Sequence, residues 1–464
     1  MSSGYPGPSS SNPYPAPSRP STSDRQQPGQ FGQPGQPLQP GQYGPPGQPL
    51  QPGQYGAPGQ PGAYGRPGYG QANGHPQQFG QPPQQHPQIW HGGQRSSALG
   101  TGTIVALCVV GFASIWGLWI ALSQVGPAPA AIGFFAALIP LAAVLAAVMW
   151  LDRWEPEPKV MLLIAFLWGA GVSVVLSFYG NTAVTMSFYE ATGDIDGANL
   201  VGAVVSAPLV EETTKGLGVL LIFLLRRKYF DGVVDGIVYA AVVAAGFAFT
   251  ENIIYFGRSV DFLPQIFFMR GVMSPFAHIL FTACIGIALG IASRHRNALA
   301  VWWLFPLGLL GSAALHALWN ASASLGGVTG SEGTFFLVYG LVQIPLFVAA
   351  VVLVFWLRRQ ESAAIRARLT EYAGAGWFAP HEIEMVASLR TRAQARAWAS
   401  RLGPNAGAAM KRFQKDATSL AYMRQRAVSG RADLRTHSSS EQELLAAISA
   451  DRQAFQAAAP QAFR

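Results

Sequence analysis

Two carboxylates and an ammonium group occur together in a segment that is otherwise apolar. Glu211, Glu212 and Lys215 all lie within residues 201–225. One ionisable side chain near the middle of a lipid bilayer costs from ~2.5 to more than ~10 kcal/mol, depending on the method of measurement. Three such groups so close together therefore indicate polar partners or a water-filled cavity.

The next three apolar segments contain polar side chains that could be these partners. They are Glu251 and Asn252, then His278 and Thr282, then His316 and Asn320. Each histidine and the polar residue after it are one helical turn apart, so on a helix they share one face. Glu211 and Glu212 likewise lie one turn from Lys215, so the ammonium group can neutralise one carboxylate. The other carboxylate is then left for a different role.

Carboxylates and imidazoles in one place suit hydrolysis by water. A carboxylate can remove a proton from water, and imidazoles can orient that water or stabilise an oxyanion. We therefore take Glu211, Glu212, His278 and His316 as candidate catalytic residues. The same four side chains could instead ligate a zinc ion that carries the water. The chain contains no HExxH sequence, and its residues leave the cofactor undecided between none and zinc.

Further polar residues are expected to support this site. The supporting candidates are Lys215, Glu251, Asn252 and Asn320. For any one of these groups taken alone, a role in holding helices together by hydrogen bonds or an ion pair is the alternative. Arg270 lies just inside its apolar segment, where its long side chain could extend outward.

The segments that carry these residues are predicted to be membrane-spanning helices. Half of the residues are hydrophobic and only 12% are charged. An apolar segment of roughly 20 residues can cross ~30 Å of hydrocarbon as a helix. The predicted fold class is all-α, a polytopic membrane helix bundle of about eight transmembrane helices. The spans are expected near residues 103–123, 130–151, 160–182, 201–225, 233–257, 266–292, 298–321 and 334–357.

The membrane part, residues 99–357, is flanked by two regions of different composition. Residues 1–98 are rich in Pro, Gly, Gln and Tyr and repeat a twelve-residue unit, so they cannot bury a core and are predicted to be a disordered tail. Residues 358–464 contain 17 Lys and Arg against 9 Asp and Glu. This basic tail is predicted to be helical near 381–402, 406–428 and 439–457. Its arginines could attract anionic lipid or simply be solvated.

Basic residues flank one set of span ends, whereas the alternate loops are mostly acidic. The basic positions are Arg153, Lys159, Arg226, Arg227, Lys228, Arg294, Arg296, Arg358 and Arg359. The positive-inside rule then predicts a multi-pass protein of the cell membrane with both termini in the cytoplasm. Counted along the helices from their cytoplasmic ends, the candidate carboxylates and histidines lie roughly 22–30 Å away. Within a hydrocarbon layer of ~30 Å they occupy the outer half, so water should enter from the extracytoplasmic side.

The motifs occur in an order that resembles the PrsW family of intramembrane proteases. They are Leu151-Asp-Arg-Trp-Glu-Pro-Glu-Pro158, Glu211-Glu212-x-x-Lys215, Phe247-x-x-x-Glu251-Asn252, His278 and His316-x-x-Trp319-Asn320. The family is similar to the superfamily of CAAX prenyl endopeptidases and bacteriocin-processing proteins. In that superfamily an arginine would stand at Lys215 and a histidine at Glu251, and both departures argue against a prenyl endopeptidase. The resemblance implies peptide-bond hydrolysis in the membrane, in the known case of an anti-sigma factor.

The expected function is therefore that of an intramembrane endopeptidase. Its partners would be the lipid bilayer and a single-span membrane protein, cut near its extracytoplasmic boundary, and no nucleic acid is expected. A transporter or channel that uses the same Glu and His groups as an ion path is one alternative. A non-catalytic membrane scaffold is another, and it would tolerate exchange of glutamate for glutamine. Substrate identity and oligomeric state are not determined by the sequence.

Overall fold

The computed structural model describes residues 100–226, 230, 232–295, 297–329, 332–429 and 434–459. For residues 325–329, 332 and 434–438, only the backbone is described. The chain divides into the units Met1–Trp90 and His91–Arg464, and all of the described residues belong to the second. The predicted disordered tail, residues 1–98, lies outside the described residues.

The membrane part is a bundle of helices, as predicted, and the described residues contain no strand. Its helices are α1 (Thr101–Val125), α2 (Pro127–Leu151), α3 (Lys159–Thr192), α4 (195–225), α5 (Val233–Arg258), α6 (263–273), α7 (Ala277–Arg294), α8 (Val301–Thr329) and α9 (332–374). Among the described residues, seven helical segments are long and apolar enough to cross a membrane, with α6 and α7 counted as one segment. The other predicted span, 201–225, is α4. It is helical but is not one of the seven, and it contains Glu211, Glu212 and Lys215.

Helix α5 runs through the middle of the bundle and is almost entirely buried. Small residues allow α7 to approach it closely: a Cβ atom added at Gly236 would lie 2.0 Å from the carbonyl oxygen of Gly286. The reciprocal contact is equally tight, since a Cβ atom at Gly286 would lie 2.3 Å from the carbonyl oxygen of Gly236. Backbones this close leave little freedom for sliding. The contact therefore holds the polar ends of α5 and α7 in register.

Several helices of the membrane part depart from regular α-helical geometry. A π-helical turn occurs in α3 at Trp168–Ser173, in α4 at Gly202–Ser206 and in α6 at Phe268–Met273. Turns of this kind are rare and frequently occur at functional sites. After the third one the helix breaks, and α7 starts at Ala277. The break places the first turn of α7 inside the bundle.

The C-terminal part is helical, as predicted. It contains α10 (Pro380–Ala387), α11 (Leu389–Arg401), α12 (Pro404–Val428) and α13 (Leu434–Ala457). The single helix expected near 381–402 is two helices, because Ser388 adopts an extended backbone and caps α11. Helix α9 runs without a break from its apolar half through residue 358 to Gly374.

The loop between α2 and α3 joins the membrane part to this C-terminal core. Trp154 in that loop is only 5% exposed and packs with Ile365, Leu369 and Phe413 of the tail helices. The end of α2, the start of α5 and the end of α7 also line a small pocket together with Tyr422 of α12. The tail helices therefore pack against one end of the membrane bundle, which we call the tail side.

Candidate active site

Glu212 is the most completely bonded of the candidate residues. Its side chain is fully buried, and Oε1 accepts hydrogen bonds from Lys215 Nζ at 2.8 Å and His316 Nδ1 at 3.0 Å. Its other oxygen accepts from Thr282 at 2.8 Å and Ser312 at 2.7 Å. These donors come from α4, α7 and α8. Glu212 therefore links three helices and keeps little capacity to bind anything else.

Glu211 has a different environment although it is the adjacent residue. One oxygen lies 3.3 Å from the amide nitrogen of Asn181 and the other lies 3.4 Å from Lys215 Nζ. Both contacts are long for hydrogen bonds to a carboxylate. The side chain lines a cavity rather than a packed interface. Glu211 therefore keeps acceptor capacity that water or substrate can use.

Lys215 places its ammonium group between the two carboxylates and one histidine. The side chain is fully buried, and Nζ lies 3.2 Å from His278 Nδ1 and 3.9 Å from the centre of the Phe247 ring. A buried cation is tolerated only when it is paired. The contacts to Glu211 and Glu212 meet this requirement. The predicted neutralisation of a carboxylate by Lys215 thus agrees with the structure.

His278 is held at both ring nitrogens. Nε2 lies 2.8 Å from a carboxylate oxygen of Glu251, while Nδ1 faces Lys215. An ammonium group only donates hydrogen bonds, so Nδ1 accepts and Nε2 carries the hydrogen given to Glu251. His316 has the opposite tautomer, because its Nδ1 donates to the acceptor Glu212. Its Nε2 is thereby left with a free lone pair.

Arg270 lies in the site and does not extend outward, as its place in the sequence would have allowed. Its guanidinium group donates to Glu251 at 2.7 Å and to Asn252 at 2.8 Å, and it stacks 3.8 Å from the centre of the Tyr255 ring. The physical reason is the carboxylate of Glu251, which is only 21% exposed within the bundle and whose charge needs a cationic partner. Arg270 therefore belongs to the same polar network as His278.

These residues surround a cavity of about 330 Å³, which is enough for several water molecules. Its polar lining consists of Glu211, Glu251, Asn252, Tyr255, Arg270, Ser274, His278, His316, Asn320 and Ser324. Asn320 donates to the carbonyl oxygen of Ala203 at 2.8 Å, within the π-helical turn of α4. The structure thus brings the candidate residues close to one another. Glu212 and Lys215, however, are not among the residues that line the cavity.

The cavity lies toward the end of the bundle opposite the tail side. His278 is in the first turn of α7, which runs from there to the tail side. Glu251 is seven residues from the end of α5 at Arg258, a rise of about 10 Å. Arg296, one of the basic positions at the predicted cytoplasmic span ends, lies outside the described residues. Glu251 and His278 therefore lie nearer the ends of α5 and α7 that face away from the tail side.

Three of the candidate residues could hold a metal ion. Glu211, His278 and His316 each offer one ligand atom, and these atoms lie within 4.8 Å of one another. Two imidazoles and a carboxylate are a known donor set for catalytic zinc. The bond from His316 to Glu212 is also typical, since a ligand histidine usually gives its other nitrogen to a carboxylate. The donor set fits zinc, although His278 would have to leave Lys215 or Glu251 to bind it.

Sequence reasoning did not find Asn181 and Ser312, which contact Glu211 and Glu212. Asn181 also accepts from Ser206 of α4 at 2.9 Å. A single asparagine within the apolar run of α3 was an available signal. Ser312 carried none, because an isolated serine is common in membrane helices.

Comparison with known proteins identifies relatives of this chain. The family model described as PrsW family intramembrane metalloprotease matches residues 157–355. Protease PrsW of Clostridioides difficile is 31% identical over 188 residues, which are 38% of this chain and 76% of that protein. Protease PrsW of Bacillus subtilis is 30% identical over 170 residues, which are 36% of this chain and 72% of that protein. No solved structure matches this chain.

Proposed function

Because this chain belongs to the PrsW family of intramembrane proteases, we propose that its cavity hydrolyses a peptide bond of a single-span membrane protein, with Glu211 as the general base. The family membership makes it a multi-pass membrane protein and a protease. The proposal adds the roles of the residues, the kind of substrate and the depth of the cut. An anti-sigma factor or a protein of similar architecture is the proposed substrate class.

The contrast between the two adjacent glutamates carries the proposal. Four donors within 3.0 Å occupy Glu212. Glu211 has only the two longer contacts and faces the cavity. A general base must reach the proton that it removes, either directly or through one water molecule. Glu211 meets this condition, and Glu212 acts as a positioning residue for Lys215 and His316.

The reaction then uses groups that line the cavity. Glu211 takes a proton from water while the water oxygen bonds to the carbonyl carbon of the scissile peptide. The free Nε2 of His316 accepts the second hydrogen of this water and so orients it. Glu211 then passes its proton to the leaving nitrogen as the carbon–nitrogen bond breaks.

Negative charge that develops on the carbonyl oxygen needs donors. The first turn of α7, where Ala277 and His278 line the cavity, begins with backbone N–H groups that have no intrahelical acceptor. That of Ala277 already donates to the Ser274 carbonyl oxygen, so the proposed donors are the N–H groups that follow it. The guanidinium group of Arg270 lines the same space. Such fixed donors at a cavity wall stabilise an oxyanion well, because they need no reorganisation during the reaction.

The three possible ligand residues also suggest how a metal cofactor would be held. Glu211, His278 and His316 would hold a zinc ion, whose chemistry here would be the polarisation of a bound water. In that case Glu211 would be a ligand and no longer the base. Metal content measured on active protein, together with the effect of chelation and of zinc added back, distinguishes the two forms of the proposal.

The position of the cavity along the bundle predicts which part of a substrate's span is cut. If the tail side is cytoplasmic, as the positive-inside rule predicts, the cavity lies in the extracytoplasmic half of the membrane. We therefore expect cleavage near the extracytoplasmic boundary of the substrate's span. A scissile bond in the cytoplasmic half would contradict the proposed topology or the proposed site.

The test uses purified full-length protein and candidate single-span substrates. Cleaved termini are identified by mass spectrometry for the wild type, for Glu211→Gln and for the matched control Glu190→Gln. Glu190 is exposed, lies near the end of α3 and is not among the residues that line the cavity. Loss of a general base lowers turnover by roughly 10²–10⁴-fold, and the control should retain normal turnover. Near-normal cleavage by Glu211→Gln would refute the assignment.

A further inference from the structure

We propose that a groove at the tail side binds the phosphate headgroup of an anionic phospholipid from the adjacent leaflet. The groove has a volume of about 760 Å³ and is open to its surroundings. Its walls are the end of α2 at Trp150, one face of α9, and the start of α11 at Ser388. It is separate from the catalytic cavity and shares none of its lining residues.

The wall formed by α9 changes from apolar to cationic along the helix. The lining residues on α9 are Phe355, Arg358, Arg359, Ser362, Ala363, Arg366, Ala367 and Thr370. They recur every three or four residues, so they form one face of a continuous helix. The preceding turns expose Val348, Val351 and Val352. A phospholipid at this surface has the same order, with acyl chains first and the phosphate after them.

The lining residues include three arginines and no carboxylate. The guanidinium group of Arg358 lies 3.7 Å from the centre of the Trp150 ring and donates to the Trp150 carbonyl oxygen at 2.9 Å. Arg359 is exposed and has no acidic partner in the described part of the chain. Arg366 pairs with Glu384 on the surface. In the described part of the chain Arg358 and Arg359 therefore form no ion pair, although Glu361 lies near enough to act on Arg358. The planar guanidinium group matches phosphate geometry.

The opposite wall adds partial positive charge. Ser388 caps α11, a helix of 13 residues, so the N-terminal dipole of α11 lies at the groove. The Ser362 hydroxyl donates to the Ala387 carbonyl oxygen at 2.6 Å and so ties α9 to this wall. Phosphate groups bind favourably at such helix ends. The arginines and this helix end point to the same ligand chemistry.

A lipid is favoured as the occupant because one end of the groove continues into hydrocarbon-facing surface. Met149, next to Trp150 on α2, is 63% exposed, and Val352 on α9 is 60% exposed. Trp150 and Phe355 lie between that surface and the arginines, with ring centres 5.4 Å apart. Aromatic residues are enriched at this depth of membrane proteins. A water-soluble phosphate ester would leave the apolar end of the groove unused.

Lipid retention by the full-length protein tests the proposal. Protein in detergent is mixed with phosphatidylglycerol or with phosphatidylcholine of the same acyl chains, and bound lipid is measured by native mass spectrometry. Glycerol phosphate is added as a soluble competitor in a third arm. The groove variants are Arg359→Gln and Arg358→Gln/Arg359→Gln. The control Arg396→Gln/Arg401→Gln removes the same charge from exposed positions of α11 that do not line the groove.

Phosphatidylglycerol is expected to bind more tightly than phosphatidylcholine. Each arginine near the membrane surface contributes a factor of about 5 in affinity, so the single variant should lose about 5-fold and the double variant about 25-fold. The control variant should bind like the wild type. Equal retention of the two lipids, equal loss in the control, or full displacement by glycerol phosphate would each overturn the proposal. The single variant changes an exposed side chain and keeps the test valid if the double variant does not fold.

Discussion

Replacing Glu211 and Glu212 one at a time by glutamine should separate a catalytic carboxylate from a structural one. Glu212 is fully buried and accepts four hydrogen bonds, from Lys215, His316, Thr282 and Ser312. A glutamine there has one oxygen and one NH₂ group, so the NH₂ group must face two donors. The change also removes the shorter of the two ion pairs of Lys215.

The magnitude follows from these contacts. Removing one partner of a buried ion pair destabilises a protein by about 3–5 kcal/mol. At about 2–4 °C per kcal/mol for a domain of this size, the melting temperature should fall by about 6–20 °C. Glu211→Gln should change it far less, because Glu211 makes only two long contacts and a glutamine oxygen there can still accept from Asn181.

Both variants should lose proteolysis, so activity alone does not separate the roles. The assay is thermal unfolding of detergent-purified protein, followed by intrinsic fluorescence, in parallel with substrate cleavage. Glu190→Gln, on the exposed surface, serves as the control for both measurements. A stable Glu212→Gln together with an unstable Glu211→Gln would show that the two roles are reversed. An active Glu211→Gln would refute the choice of base.

Three further predictions concern other parts of the network. Arg270→Gln should lower turnover by at least about 10-fold and change the pH profile of turnover, because Glu251 would lose the cation that holds it against His278. Arg270→Lys should recover part of the activity. Equal loss in both variants with an unchanged pH profile would indicate a purely structural role. Burial, together with the nearby carboxylate of Asp235, raises the pKa of Glu157 to about 9. Between about pH 4.5 and pH 9 the folded protein therefore holds a proton that the unfolded chain releases. The free energy of unfolding should fall as the pH rises through this range. Glu157→Gln should therefore melt higher than the wild type at pH 8 and nearly equally at pH 5, and parallel melting curves across this range would contradict the expectation. Trp154→Ala should lower the free energy of unfolding by about 3–5 kcal/mol and expose the tail helices to limited proteolysis, because Trp154 packs in their core. Unchanged proteolysis would show that the loop does not hold the tail.

The sequence predicted the membrane helices and most of the site because both depend on local composition. An apolar segment of bilayer length can hardly be anything other than a spanning or buried helix. An ionisable residue within it is conspicuous because its burial is costly, and this cost made Glu211, Glu212, Lys215, Glu251 and the two histidines visible. The same reasoning located the basic tail and its helices, although the break at Ser388 was missed.

Other features depend on how the helices are rotated and how deeply they are placed, and only the tertiary structure decided them. Glu211 and Glu212 cannot be told apart in the sequence. In the structure, Glu212 accepts hydrogen bonds from donors on three helices, whereas Glu211 lines a cavity. Arg270 could reach the surface or Glu251 with equal ease from its position in the chain, and the break before α7 determines which it meets. Neutral groups such as Ser312 cost little in an apolar helix, so they give no signal until a partner is seen opposite them. The neighbours of Trp154 and of the arginines on α9 are determined by how the tail helices pack against the bundle. Contacts between residues far apart in the chain depend on packing and not on the local sequence pattern.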